Sequence, residues 1–252
     1  MPEELLTSTI ETIRFLTLNR PEKRNALNDE LIGALKRELS DADGDESLRS
    51  IVINGAGKDF CSGADLASLQ KISESSFEEN LEDARNLMDL FLLIRAVKIP
   101  VIAAVHGRAL AGGCGLATAC DLVLATDTAR FGYPEVKIGF VPAMVMAILR
   151  RNISEKRAFE MITQGFEFSA EDAERVGIVN RVFAETDFEE KIKEYVGIYE
   201  KVSRSAIVMS KQLLYQMDGL TFDASMDAGA ETNAAARMTE DCKNGIAKFL
   251  SK

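Results

Sequence analysis

Apolar and polar residues change their rhythm along the chain. The stretch TIRFLTLNR, Thr12 to Arg20, has strand character and stops at Pro21. Asn28 is placed to cap a helix with Asp29 and Glu30 in its first turn and Lys36 and Arg37 in its last, matching the sign of the helix dipole. Leu31, Ile32, Leu35 and Leu39 fall on one face of that helix and predict its buried stripe. DADGDES reads as a turn, and LRSIVINGAG as the next strand. A longer helix is predicted from Phe77 to Arg95, with Leu81, Ala84, Met88 and Phe91 on one side. IPVIAAV follows without a polar break, the pattern of a strand in a sheet covered on both faces. Further on, Ser169 and Asp172 have capping-box-like spacing, and Gly177 ends the helix they start. Strand and helix alternate to about Asp187, and only helical periods follow. The predicted division is a mixed α/β core over residues 1–186 and a helical region over 187–252.

Composition narrows the possible partners. With 46% hydrophobic residues among 252, the chain can bury a sizeable core. A net charge of -10 is a poor match for nucleic acid or an anionic membrane, so an anionic ligand needs local basic groups or backbone N–H donors. The opening MPEELLTSTI lacks the features of a secretory signal, and no apolar run is long enough to span a bilayer. A cytoplasmic location is therefore expected. Cys61, Cys114, Cys120 and Cys242 have no Cys-x-x-Cys spacing, and His106 is the only histidine. Free thiols and no bound metal are expected.

HGRALAGGCGLATACDL, His106 to Leu122, puts four glycines between an apolar strand and a helix. Gly113 stands where a P-loop needs lysine; in GAGKDF, Phe60 replaces the last glycine of a dinucleotide fingerprint; no G-x-S-x-G elbow is present. What remains is a set of unpaired N–H groups at the positive end of a helix, approachable because Gly112 and Gly113 lack side chains. The turn CSGAD follows another strand and offers the Ala64 N–H. Two such donors aimed at one oxygen make an oxyanion hole. The same glycines also suit tight helix–strand packing alone, and both readings stand at this point.

NRPEKRNALN, FCSGADL, IPVIAAVHGRALAGGCGLATACDLVLAT, ARFGYPEVKIG and AEDAERVGIVNRV together resemble the crotonase superfamily, the enoyl-CoA hydratase/isomerase family, in order and spacing over nearly the whole chain. The resemblance implies an α/β spiral of ββα units with C-terminal helices that assemble a homotrimer or a dimer of trimers. It implies an acyl-CoA thioester ligand and no separate cofactor, coenzyme A being part of the substrate. By similarity the N–H groups of Ala64 and Gly112 hold the thioester oxygen. Lys23, Arg24 and Ala26 match the segment along CoA, and the turn holding Ser62, Ala64, Asp65 and Leu66 matches the one bordering adenine and pantetheine.

Hydratases of this family use two glutamates. At the first position, after Cys114, this chain has Gly115; at the second it has Glu135. Phe131, Tyr133, Phe140 and Val141 make the Glu135 neighbourhood apolar, which predicts a raised pKa. As a lone surface charge, Glu135 would instead pair with Lys137. One carboxylate suffices to take a proton from C2 and return it at C4, so isomerisation of an enoyl-CoA is preferred. A single-glutamate hydratase with Tyr133 helping to hold water is the alternative, and a CoA-thioester-binding assembly subunit a further one. AMVMAIL replaces the usual glycine-rich turn, so Met144 and Met146 either pack a helix or shape the acyl pocket. His106 and Cys114 are expected to be structural. Asp65 is expected to cap the helix near Leu66, and Asp121 to anchor backbone.

Overall fold

The computed structural model describes residues 3–251; the side chains of Leu66 and Ala67 lie outside the described residues. The chain opens with an antiparallel hairpin, β1 (Leu5–Ile10) and β2 (Ile13–Leu18). The hairpin's first strand went unread in the sequence because only Leu5 of its six residues is buried. Asn28 then caps α1 (Asp29–Gly44), its Oδ1 accepting from the Leu31 N–H at 2.9 Å. The expected stripe is buried, but α1 runs through DADG instead of stopping near Arg37, because Ala42 continues the stripe and is fully buried.

Three units of one plan follow, each a strand of the main sheet, an extended contact in a second layer, and one or two helices. In the first, β3 (Ser50–Gly55) leads to a parallel bridge between Cys61 and Ala109, then to α2 (Leu66–Glu74) and α3 (Phe77–Ala96). The second has β4 (Val101–Val105), β5 (Arg108–Leu110) and α4 (Gly112–Ala119). The third has β6 (Leu122–Thr126), β7 (Arg130–Gly132), α5 (Ala143–Asn152) and α6 (Glu155–Gln164). Next come β8 (Glu167–Ser169), α7 (Ala170–Val176) and β9 (Arg181–Phe183). α7 is capped by Ser169 and ended by Gly177 at φ +94°, as its sequence predicts. The rest is helical: α8 (Phe188–Val196), α9 (Arg204–Gln216), α10 (Phe222–Met238) and α11 (Glu240–Leu250). The result is an α/β spiral of ββα units with C-terminal helices. No helix among the described residues is long and apolar enough to cross a membrane.

The main sheet has the order β1-β2-β3-β4-β6-β9, parallel after the hairpin, and β5-β7-β8 form the second sheet. Val101, Ala103 and Val105 of β4 face the large core beneath α1, α3 and α4, while Ile102 and Ala104 join Phe188, Ile192 and Val196 of α8. Side chains alternate across a strand, so a continuous apolar run is what two covered faces require. On α3 the buried residues are Leu90, Phe91 and Ile94. Met88, expected inside, is exposed, and Leu81 and Ala84 are only half-buried. Ala84 and Leu87 line a cavity, Leu87 also packing against the core.

One buried ion cluster ties the helical end to the sheet. Lys211 of α9 donates to Asp121 Oδ2 at 2.7 Å and to the carbonyls of Ile94 and Ile99, both at 3.1 Å. Asp121 also accepts from Tyr215 and from the Val101 N–H at 2.7 Å, the backbone anchor expected of it.

Candidate active site

A cavity of about 680 Å³ opens between α1, α2, α3, the start of α4 and the loop leading into α5. Its walls are mostly apolar: Leu87 and Phe91 come from α3, Met144 and Val145 from α5, and Ile138, Phe140 and Val141 from the loop before it. Ser62, Ala64, Gly112 and Glu135 line the same space.

Two turns meet at one side of this cavity. Gly63 has φ +96°, which an L side chain rarely adopts, and a Cβ there would lie 2.8 Å from Ala111 Cβ and 3.3 Å from Gly112 N. The CSGAD turn therefore rests directly on the first residue of α4. Leu27 fixes the turn from behind, donating to the Gly63 carbonyl at 2.7 Å and accepting from the Asp65 N–H at 3.1 Å. Neither the Ala64 nor the Gly112 N–H donates to another group among the described residues. Gly112 is the first residue of α4, where N–H groups have no intrahelical acceptor and the dipole is positive. Ala64 and Gly112 both line the same cavity; two N–H donors converging on one oxygen would stabilise charge developing there.

Glu135 sits in a short 3-10 turn, Pro134–Ile138, closed by Gly139 at φ +76°. Phe140 donates back to the Glu135 carbonyl at 3.0 Å and folds the loop over it. The carboxyl atom Oε2 is buried and has no hydrogen-bond partner among the described residues. Burial raises the Glu135 pKa above its ordinary value, the direction the sequence predicts, and its own backbone N–H lowers it by a smaller amount. Lys137 is exposed and makes no ion pair with Glu135 among the described residues.

The other residues singled out in the sequence divide into neighbours of the cavity and packing groups. Ser62 donates from its N–H to the Arg24 carbonyl at 3.0 Å, which brings Lys23 and Arg24 beside the cavity mouth with exposed side chains. Ala26 is buried, its carbonyl accepting from Arg20. Asp65 stands just before α2, but its Oδ2 is held by Arg20 at 2.7 Å and by Lys23 at 3.1 Å. That pairing braces the CSGAD turn against the NRPEKR segment, a coupling between charges far apart in sequence. The backbone of Leu66 opens α2, and its side chain lies outside the described residues.

Tyr133 requires a correction. Its ring is fully buried, its hydroxyl is 3.4 Å from Thr118 Oγ1 and engages Cys114, and it does not line the cavity. Aromatic bulk packs that side chain under α4, against Thr118 and Cys114. Cys114 is also enclosed, and burial pushes its thiol up to about 12, the reverse of an activated nucleophile. His106 Nε2 lies 3.0 Å from the Gly57 carbonyl and serves packing. Met144 does border the cavity, while Met146 does not.

The family model described as enoyl-CoA hydratase/isomerase matches residues 8–252. A Thermus thermophilus protein, provisionally named an enoyl-CoA hydratase, is 40% identical over 235 residues, covering 93% of each chain. The 2,3-dehydroadipyl-CoA hydratase of Escherichia coli is 35% identical over 99% of this chain and 96% of its own. The crystal structure of an enoyl-CoA hydratase from Mycobacterium smegmatis superposes with a TM-score of 0.94 at 34% identity, covering 98% of this chain and 96% of that one. The paired turns, the apolar cavity and the buried carboxyl thus sit in a chain that belongs to the enoyl-CoA hydratase/isomerase family, the crotonase superfamily, whose chemistry is that of acyl-CoA thioesters.

Proposed function

We propose that this enzyme moves the double bond of an enoyl-CoA, with Glu135 as the only proton carrier. The Ala64 and Gly112 N–H groups hold the thioester oxygen, and Lys23, Arg24 and Ser62 lie along the CoA side of the mouth. Glu135 takes a proton from C2 of a 3-enoyl thioester. The electron pair spreads through the enolate onto the oxygen and C4, and Glu135 returns the proton at C4. The double bond then lies between C2 and C3, the carboxylate is regenerated, and no water is consumed. That Glu135 lines the cavity bordered by the two turns, with its Oε2 buried and without a partner among the described residues, carries this reading. Such a carboxyl, desolvated and uncommitted, is a stronger base than one in water.

Hydration is the second reading, favoured by the names of the relatives: those from Escherichia coli and Mycobacterium smegmatis are hydratases. Adding water across C2–C3 also needs a group that holds and polarises the water, and position 115 supplies none. Incubating the protein separately with a 3-enoyl-CoA and a 2-enoyl-CoA, and following mass and absorbance, separates the two. Isomerisation leaves the mass unchanged; hydration adds one water. Substantial mass gain from the 2-enoyl thioester without isomerisation of the other would overturn the preferred reading. Binding without turnover of either would leave an assembly subunit. A homotrimer or dimer of trimers belongs to the same proposal, with Phe222, Met226 and Phe249 as exposed apolar groups for contact between copies.

A further inference from the structure

Glycine is the poorest helix former after proline, yet Gly115 lies in the buried first turn of α4. Its φ is not positive, so backbone conformation does not demand it. Its surroundings do. A Cβ at this position would lie 2.7 Å from Val145 Cγ2 and 3.1 Å from Phe91 Cζ. Phe91 is 3% exposed and Val145 4% exposed, and both belong to the cavity wall. Two helices have closed over the space that a side chain at 115 would need.

We propose that Phe91 and Val145 are specificity-determining residues: packed over Gly115, they form a dry wall that denies water a place beside the reacting carbons. The inference rests on the single-carboxyl reading above and deepens it. A held water needs two to four polar partners. Here the Gly115 N–H already donates to the Ala111 carbonyl at 2.9 Å, and the Gly115 carbonyl accepts from Thr118 Oγ1 at 3.2 Å. A valine methyl and a phenyl edge complete the surface. Hydration breaks a water O–H bond, places oxygen on C3 and a proton on C2, and needs an acceptor for the water proton. This wall provides neither a seat for the water nor a second base. A proton shuttled by Glu135 from C2 to C4 requires no such seat.

The test compares wild type, Val145→Ala, Gly115→Glu and Gly115→Glu/Val145→Ala, each given a straight-chain 2-enoyl-CoA and its 3-enoyl isomer, with products read by mass. Thermal melting of each protein runs alongside. Gly115→Glu alone is expected to melt well below wild type and gain no hydration. Adding Val145→Ala is expected to recover much of the melting temperature. The double variant should hydrate the 2-enoyl thioester about 10²-fold faster than wild type, the lower end of what one positioned carboxyl supplies. Val145→Ala by itself adds room but neither a polar partner nor a base, so it should leave the hydrated share of product unchanged. Three results would overturn the wall: Gly115→Glu melting like wild type and hydrating as fast as the double variant; a folded double variant hydrating no faster than wild type; or a hydrated share raised severalfold by Val145→Ala alone. Failure of the underlying reading looks different. Wild type would then leave the 3-enoyl thioester untouched, while the melting coupling between 115 and 145 and the hydration gained by the double variant still report on the wall.

Discussion

Replacing Glu135 by glutamine separates the catalytic use of this carboxyl from its structural cost. The amide keeps the shape and removes the base. A single positioned acid–base group contributes about 10²–10⁴-fold, and position 115 holds no second carboxyl to compensate. The loss in kcat should therefore fall toward the upper end, about 4–5.5 kcal/mol of barrier, with substrate affinity nearly unchanged because the two N–H donors remain. The same change should stabilise the fold at neutral pH. Burial raises the Glu135 pKa in the folded state above its ordinary value of 4.5. Between 4.5 and the folded pKa the native protein therefore binds more protons than the unfolded chain, and stability falls as pH rises through that window. The penalty is fully present above the folded pKa and absent below 4.5, where both states are protonated. Melting curves of the two proteins should thus diverge at pH 7, with the glutamine variant higher, and converge in acid. In the wild type, kcat/KM should fall on the acid side at an apparent pKa above the usual carboxylate range. Retention of kcat within about tenfold, or a glutamine variant that melts lower than wild type at pH 7, would refute the reasoning.

Three other sites give independent checks. Gly63→Ala, with its φ of +96° and a Cβ 3.3 Å from Gly112 N, should push the two turns apart and cost about 10²-fold in kcat, read by steady-state kinetics. Lys211→Met should lower unfolding free energy in urea by about 3 kcal/mol, since it leaves the buried Asp121 carboxylate without its cation; Tyr215 and the Val101 N–H still donate to that carboxylate and limit the loss. Native thiol titration should find Cys242 reactive and Cys61, Cys114 and Cys120 slow, with all four reacting in denaturant, because the last three are buried and burial raises each thiol's pKa.

Periodicity made the framework readable wherever one face of an element meets a core. The α1 stripe, the doubly covered β4 and the Ser169-to-Gly177 helix all have a repeating local cause. It failed where burial is lopsided. β1 buries one residue of six and so carries no alternation to find. On α3, a stripe through Met88 fits the period as well as one through Leu90, and only the placement of the cavity decides between them. Long-range charge pairing left still less trace. Arg20 to Asp65 and Lys211 to Asp121 are strong contacts in space between residues 45 and 90 positions apart.

The site itself shows the same division between local and distant causes. Ala64 and Gly112 stand out in the sequence through their turn glycines and Glu135 through the family resemblance of its loop, and all three line one cavity. Tyr133 lies two residues from Glu135, but the 3-10 turn begun by Pro134 sets the two side chains in different surroundings. Gly115 is the sharpest case. In sequence it is a missing carboxyl, an absence that leaves isomerisation and hydration both open. In space it is an occupied volume: Val145 stands 30 residues away and Phe91 24 residues away in the other direction, and each fills room that a side chain at 115 would take. A lost acid could be restored by one substitution if its place had been kept. Because two neighbouring helices have packed into that place, a second carboxyl would have to displace buried apolar groups, which costs stability through overpacking. On the proposed single-carboxyl reading, selectivity between moving a proton and adding water becomes a property of the core's packing as much as of the residue that bears the charge.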